Sequence, residues 1–135
     1  MGLLREGQTA WNRGRIEGGF RALAWGCVGV LAVFSLLPAE EVVRTGMDGR
    51  VEHTLAYAGT AVLLRLGHPG RNAWWIAAGL VIYAGLLEYS QHYSPGRIPT
   101  VEGWLTSALG VLVGIGIARW VGGVLKRPPL VGPRL

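Results

Sequence analysis

Four stretches that lack any Asp, Glu, Lys or Arg divide the chain, at residues 22–37, 54–64, 73–87 and 104–118. Their lengths are 16, 11, 15 and 15 residues. A hydrocarbon layer of about 30 Å asks about 20 residues of a helix, so each stretch must draw on its flanks to cross one. The flanks permit it. Phe20 and Arg21 lengthen the first, because a terminal Arg lifts its guanidinium to the headgroups while its stem stays in the apolar layer. Arg119 does the same for the fourth, which continues through Trp120 to residue 125 and totals 22 residues. The second, over residues 51–66, is the weakest, with Glu52 and His53 at one end and Arg65 at the other.

A soluble bundle of buried helices would show a polar position every three to four residues. Residues 22–37 depart from plain hydrocarbon only at Gly26, Cys27, Gly29 and Ser35, and AWWIAAGLVIYAGLL at 73–87 has no polar face. No period-two alternation suggests strands. Helices satisfy their own backbone groups in lipid, so the pattern predicts an all-α fold, a four-span transmembrane helical bundle. Residues 1–19 form an N-terminal arm, 20–125 the four-helix membrane domain and 126–135 a C-terminal tail. The first stretch is expected to stay as a span, not to be cut as a signal peptide. Nineteen polar-rich residues precede it, and Leu37 stands where a cut after Ala39 would need a small residue.

Charge orients the bundle. Ten of the 13 Lys and Arg fall in the N-terminal arm, the turn between spans two and three and the C-terminal end; Arg44, Arg50 and Arg97 fall in the other two connections. By the positive-inside rule both termini are cytoplasmic, and six of the eight acids then lie outside. Trp25, Trp74 and Trp120 near the inner ends and Trp104 at the outer end agree with that arrangement. The net charge of +5 is divided among membrane-flanking segments, where anionic lipid is the nearer partner; nucleic acid is not expected. Half the residues are apolar, which excludes disorder, and the single Cys27 excludes a disulfide framework.

Polar residues cluster at the outer ends of two spans. Asp48, Arg50, Glu52 and His53 lead into the second, with Tyr57 one turn below His53. Glu88, Gln91 and His92 share one face where the third ends, before a Ser-Pro-Gly turn and Arg97. The short connection makes these spans neighbours, so Arg50, His53, Glu88, Gln91 and Arg97 converge at the outer headgroup level. Glu88 is expected to pair with Arg50 or Arg97, because either charge left alone there is costly. No local metal motif joins His53, Glu88 and His92, and Ser90 and Ser94 have no evident base, so neither a metal, another cofactor nor a catalytic residue is assigned. Gly110 and Gly114 form a GxxxG face that brings helix backbones together, within the chain or against a partner.

The segments RVEHTLAY and EYSQHYSPGR, with the Gly-rich ALGVLVG of the last span, resemble the VanZ-like family of small bacterial membrane proteins over roughly residues 38–114. The chain departs from that pattern where the family has an Asp directly before its basic residue, Asp48 here being two before Arg50. It also has Gly103 and Ser107 where the family places an Asp and an Asn. The resemblance implies a multi-pass protein of the bacterial inner membrane with a glycopeptide-resistance or envelope role, and it supplies no reaction.

Two functions follow as expectations. In the first, the outer cluster binds an anionic headgroup or a cell-envelope lipid intermediate without catalysis, Arg97 clamping phosphate bidentately. In the second, the chain is an accessory subunit that packs on a larger membrane complex through its Gly faces. The topology has its own test. A reporter active only in the cytoplasm is expected to work when fused after Leu135 or inserted at Pro69, and to be silent at Thr45 or Pro95. The reverse pattern contradicts the orientation.

Overall fold

The computed structural model describes residues 2–42 and 46–125, with the side chains of 2–6 and 125 outside the description. Arg44, Thr45 and the expected tail at 126–135 lie outside the described residues. The chain forms α1 (Gly2–Leu36), α2 (Gly49–Gly67), α3 (Ala73–Ser90), a 3-10 turn over Gln91–Tyr93 and α4 (Val101–Leu125). Three of these, over Gly7–Leu36, Ala73–Tyr93 and Val101–Val124, are long and apolar enough to cross a membrane. The fold is all-helical and of multi-pass membrane type. α2 is left out of the three because Arg50, Glu52 and Arg65 interrupt its apolar composition.

The first helix extends well beyond the run that predicted it. Residues 2–19, read from the sequence as an arm, continue into the apolar segment as one helix about 52 Å long. Its first half stands apart from the bundle. Residues 7–16 are exposed, and a Cβ placed at Gly7, Gly14 or Gly18 would meet no atom within 4 Å.

Packing is densest between α2 and α4, then between α1 and α2; among the described residues α1 and α4 do not come together. α2 and α3 therefore occupy the middle. The α2–α4 contact is made by backbone. A Cβ at Gly110 would collide with the carbonyl of Thr54, and one at Gly114 with the carbonyl of Ala58 and the Ala61 side chain. Glycine at these two positions lets the helices approach closely, and the GxxxG face is used within the chain. Such proximity also satisfies the polar side chains of α2. Thr54 Oγ1 lies 2.9 Å from the Arg50 carbonyl and 3.2 Å from the Thr106 carbonyl of α4, and Thr60 donates to the Ala56 carbonyl.

Caps fix the ends of the middle helices. Asp48 accepts the Arg50 N–H at 2.8 Å at the start of α2, and Asn72 accepts the Trp74 N–H at 3.0 Å at the start of α3. At the far end of α2, Arg65 donates to the carbonyls of His68 and Pro69, and Arg21 Nε of α1 donates to the Gly67 carbonyl at 2.6 Å. Gly67 must be small, since a Cβ there would press on Arg21. Tyr83 of α3 reaches α1 by donating to the Val28 carbonyl at 2.6 Å.

Gly114→Leu is expected to lower stability in detergent by about 1–3 kcal/mol, because the side chain forces α4 away from α2. Gly116→Leu is expected to be tolerated, as nothing lies within 4 Å of its Cβ position. Thermal unfolding of the two variants checks this, and equal sensitivity would contradict the packing.

Candidate functional site

The ends of α2, α3 and α4 and the connections around them enclose a cavity of about 620 Å³. Arg50, His53, Glu88, Gln91 and Arg97, singled out from the sequence, all line it. Asp48, Glu52, Thr100, Glu102 and Gly103 join them. His92 does not; its Nδ1–H donates back to the Tyr89 carbonyl at 2.9 Å and the ring is exposed. Tyr57 is buried one turn further along α2 and contributes to the core. Among the described residues no three His, Cys, Asp or Glu side chains come close enough to hold a metal ion.

Each polar residue is positioned by a specific need of the backbone. α4 begins with Thr100, whose hydroxyl accepts the Gly103 N–H at 3.0 Å. In a capping box, the third residue of the helix would be a Glu reaching back to the N–H of the cap residue. Here that residue is Gly103, and Glu88 of α3 supplies the bond: its Oε1 accepts the Thr100 N–H at 2.7 Å. The carboxylate also lies against the positive end of the α4 dipole. It fills the space that a side chain at position 103 would take, since a Cβ there would come within 2.7 Å of Glu88 Oε1.

The expected pairing of Glu88 with Arg50 or Arg97 is therefore not what the structure contains. The helix start offers Glu88 unpaired N–H groups at hydrogen-bonding distance, and both arginines are drawn elsewhere. Arg50 Nη2 lies 2.9 Å from Glu102 Oε2, in a pair whose side chains are each about 60% exposed. Arg97 turns towards α1, where its Nη2 donates to the Phe34 carbonyl at 2.5 Å and its Nε to the Leu37 carbonyl at 3.3 Å. Ser94 Oγ adds a bond to the Leu36 carbonyl at 3.0 Å, and the Ala39 N–H bonds the Pro95 carbonyl. The segment Ser94–Arg97 is thus a cap for the last turn of α1, whose carbonyls have no partners inside their own helix. Gly96, at φ +72°, makes the turn that aims Arg97 there. The phosphate clamp expected of Arg97 is replaced by this structural role.

His53 is held by α4. Ser107 Oγ donates to the Gly103 carbonyl at 2.8 Å, so its lone pair accepts from His53 Nδ1–H at 3.1 Å. A neutral His53 then carries its acceptor lone pair on Nε2. Ser107 is buried and serves this orientation. Asp48 and Thr100 were open to discovery from the sequence as cap residues ahead of helices; Glu102 as the partner of Arg50 had no local signal, because the pair spans two helices.

The arrangement can bind a ligand with groups of both kinds. Four carboxylates, of Asp48, Glu52, Glu88 and Glu102, face it with two guanidiniums and an imidazole. Of the two arginines, only Arg50 is held by an exposed ion pair, a type of contact worth little on its own and readily exchanged for a better anion.

Glu88→Ala is expected to cost about 1 kcal/mol or more through the lost cap, and Gly103→Ala to be destabilising by displacing the carboxylate. Combined, the two changes are expected to cost less than their sum, since removing the Glu88 carboxylate vacates the space that a methyl group at position 103 needs. A double-mutant cycle measured by thermal unfolding in detergent checks this, and strict additivity would contradict the contact.

No family model, curated protein or solved structure matches the chain.

Proposed function

We propose that this chain is a VanZ-like protein of the bacterial inner membrane that crosses the bilayer four times with both termini cytoplasmic. Its outer-face cavity, in this reading, binds the headgroup of an anionic lipid or a cell-envelope lipid intermediate without catalysing a reaction. The observation that carries it is the convergence of Arg50, His53, Glu88, Gln91 and Arg97 on one cavity at the ends of α2, α3 and α4, the last two of which are apolar enough to cross a membrane. The fourth crossing is α2, whose 19 residues span about 28 Å and whose polar side chains find partners on α4.

The charges narrow the ligand. A bare phosphate would meet four carboxylates and only one exchangeable arginine, so it is disfavoured by the surrounding field. A headgroup that combines phosphate with hydroxyl or ammonium groups suits the wall better: Arg50 takes the anion, and the carboxylates and His53 Nε2 take the donors. This favours an envelope lipid intermediate carrying a sugar or amine over a simple acidic phospholipid.

The accessory-subunit reading keeps one support. The Gly110 and Gly114 face is occupied by α2, but Gly14, Gly18, Gly26 and Gly29 of α1 have no neighbour within 4 Å of a Cβ position. A partner helix in a larger complex would meet the chain there.

Arg50→Gln is expected to reduce retention of a phosphate-bearing, sugar- or amine-substituted lipid about tenfold, read by mass spectrometry of protein purified in mild detergent. Arg97→Lys is expected to lower thermal stability, with less change in the lipid held. If Arg50→Gln leaves bound lipid unaltered and Gly18→Leu releases the protein from a larger complex, the subunit reading replaces the headgroup reading.

A further inference from the structure

At the opposite end of the bundle from the polar cavity, α1 and α3 are separated by a groove of about 450 Å³, within the range of about 300–1,000 Å³ typical of ligand sites. Trp25 and Val28 of α1 form one wall, and Trp75, Ile76, Gly79 and Leu80 of α3 form the other. Leu64 of α2 closes the back. The Tyr83 hydroxyl, bonded to the Val28 carbonyl, ties the two helices at the end farthest from the α2–α3 turn. Between Trp75 and Tyr83 the groove follows α3 for about 12 Å. At Gly79 it is open: a Cβ there would meet no atom within 4 Å.

The two ends of this groove differ chemically. Its length is hydrocarbon and aromatic, whereas His68 and Arg71 line it at the α2–α3 turn. Among the described residues no carboxylate lines it. Several neighbouring groups are committed: Arg65 caps α2, Arg21 bonds the Gly67 carbonyl and lies 3.9 Å from Glu17, and His68 Nδ1–H donates to the Leu64 carbonyl at 3.0 Å. Trp25 and Trp75 are 61% and 76% exposed at the rim, the side-chain type that settles at the boundary between hydrocarbon and headgroups. Both walls belong to helices apolar enough to cross a membrane, so the groove opens sideways onto acyl chains. An unfilled apolar groove there forfeits dispersion contacts on every lining atom, and water gains nothing from entering it.

We infer that this groove seats one acyl chain of an anionic phospholipid from the surrounding leaflet, with the lipid phosphate held at Arg71. The inference rests on α1 and α3 crossing the membrane and is independent of what the polar cavity binds. An apolar slot ending in an exposed guanidinium matches a single chain ending in a phosphate, and that guanidinium can grip the phosphate through two N–H donors. A zwitterionic lipid brings a like-charged ammonium to the same place and is disfavoured.

The test uses the full chain in mild detergent with equal amounts of phosphatidylglycerol and phosphatidylcholine of identical acyl chains, and native mass spectrometry of the lipid retained. One phosphatidylglycerol per chain is expected, preferred about tenfold over phosphatidylcholine. Arg71→Gln, on the exposed turn, is expected to abolish the preference. Gly79→Leu is expected to abolish retention of both lipids by filling the slot, with helical content unchanged. Gly116→Leu, which lines neither the groove nor the polar cavity, is expected to retain phosphatidylglycerol as the unaltered chain does, so that a loss in the other two variants is local to the groove. Equal retention of both lipids, a preference that survives Arg71→Gln, or a lipid still held by Gly79→Leu would each overturn the assignment.

Discussion

The backbones of α2 and α4 approach each other through Gly110 and Gly114, and the positions of His53, Arg50 and Glu102 at the cavity follow from that approach. α2 is less apolar than α3 and α4, and alone it would expose Thr54, His53 and Thr60 to hydrocarbon. Packed without intervening side chains, it places Thr54 near the Thr106 carbonyl and His53 against Ser107. One turn further out, the same pairing sets Arg50 beside Glu102. A larger residue at either glycine separates the helices and removes these partners together.

A second dependence links α3 to the same end. Glu88 provides the bond that a helix ordinarily obtains from its own third residue, and Gly103 leaves the room for it. The start of α4 is therefore completed by α3, while the end of α1 is completed by Ser94 and Arg97 from the connection between α3 and α4. The cavity is bounded by helix ends that satisfy one another. Most of its polar atoms serve this purpose first, which leaves the exposed Arg50 as the group best placed to take an anion and the oriented His53 Nε2 as an acceptor for a ligand's donor.

Much of this was legible in the chain. Uncharged runs marked the four helices, and two polar motifs at the ends of spans joined by a short turn indicated that Arg50, His53, Glu88, Gln91 and Arg97 meet. The start of α1 was not legible, because Gly7, Gly14, Gly18 and Gly19 and the charges among them carry no apolar period, and the helix there has little packing to impose one. Nor were the partners of Glu88 and Arg97. Their acceptors and donors are main-chain groups at helix ends, which leave no residue signature, whereas a reading by charge alone pairs acid with base. The GxxxG motif was visible, but which helix it faces depends on how α2 folds back, and spacing does not encode that.

The central claim is that α2, although more polar than α3 and α4, lies inside the helical bundle between α1 and α4. Amide hydrogen exchange on the protein in lipid bilayers tests it directly. The account predicts that residues 56–64 of α2 exchange as slowly as the buried amides of α3 and α4, with fast exchange confined to the helix ends. Fast exchange across 56–64 while α3 and α4 remain protected would place α2 outside the bundle and contradict the account.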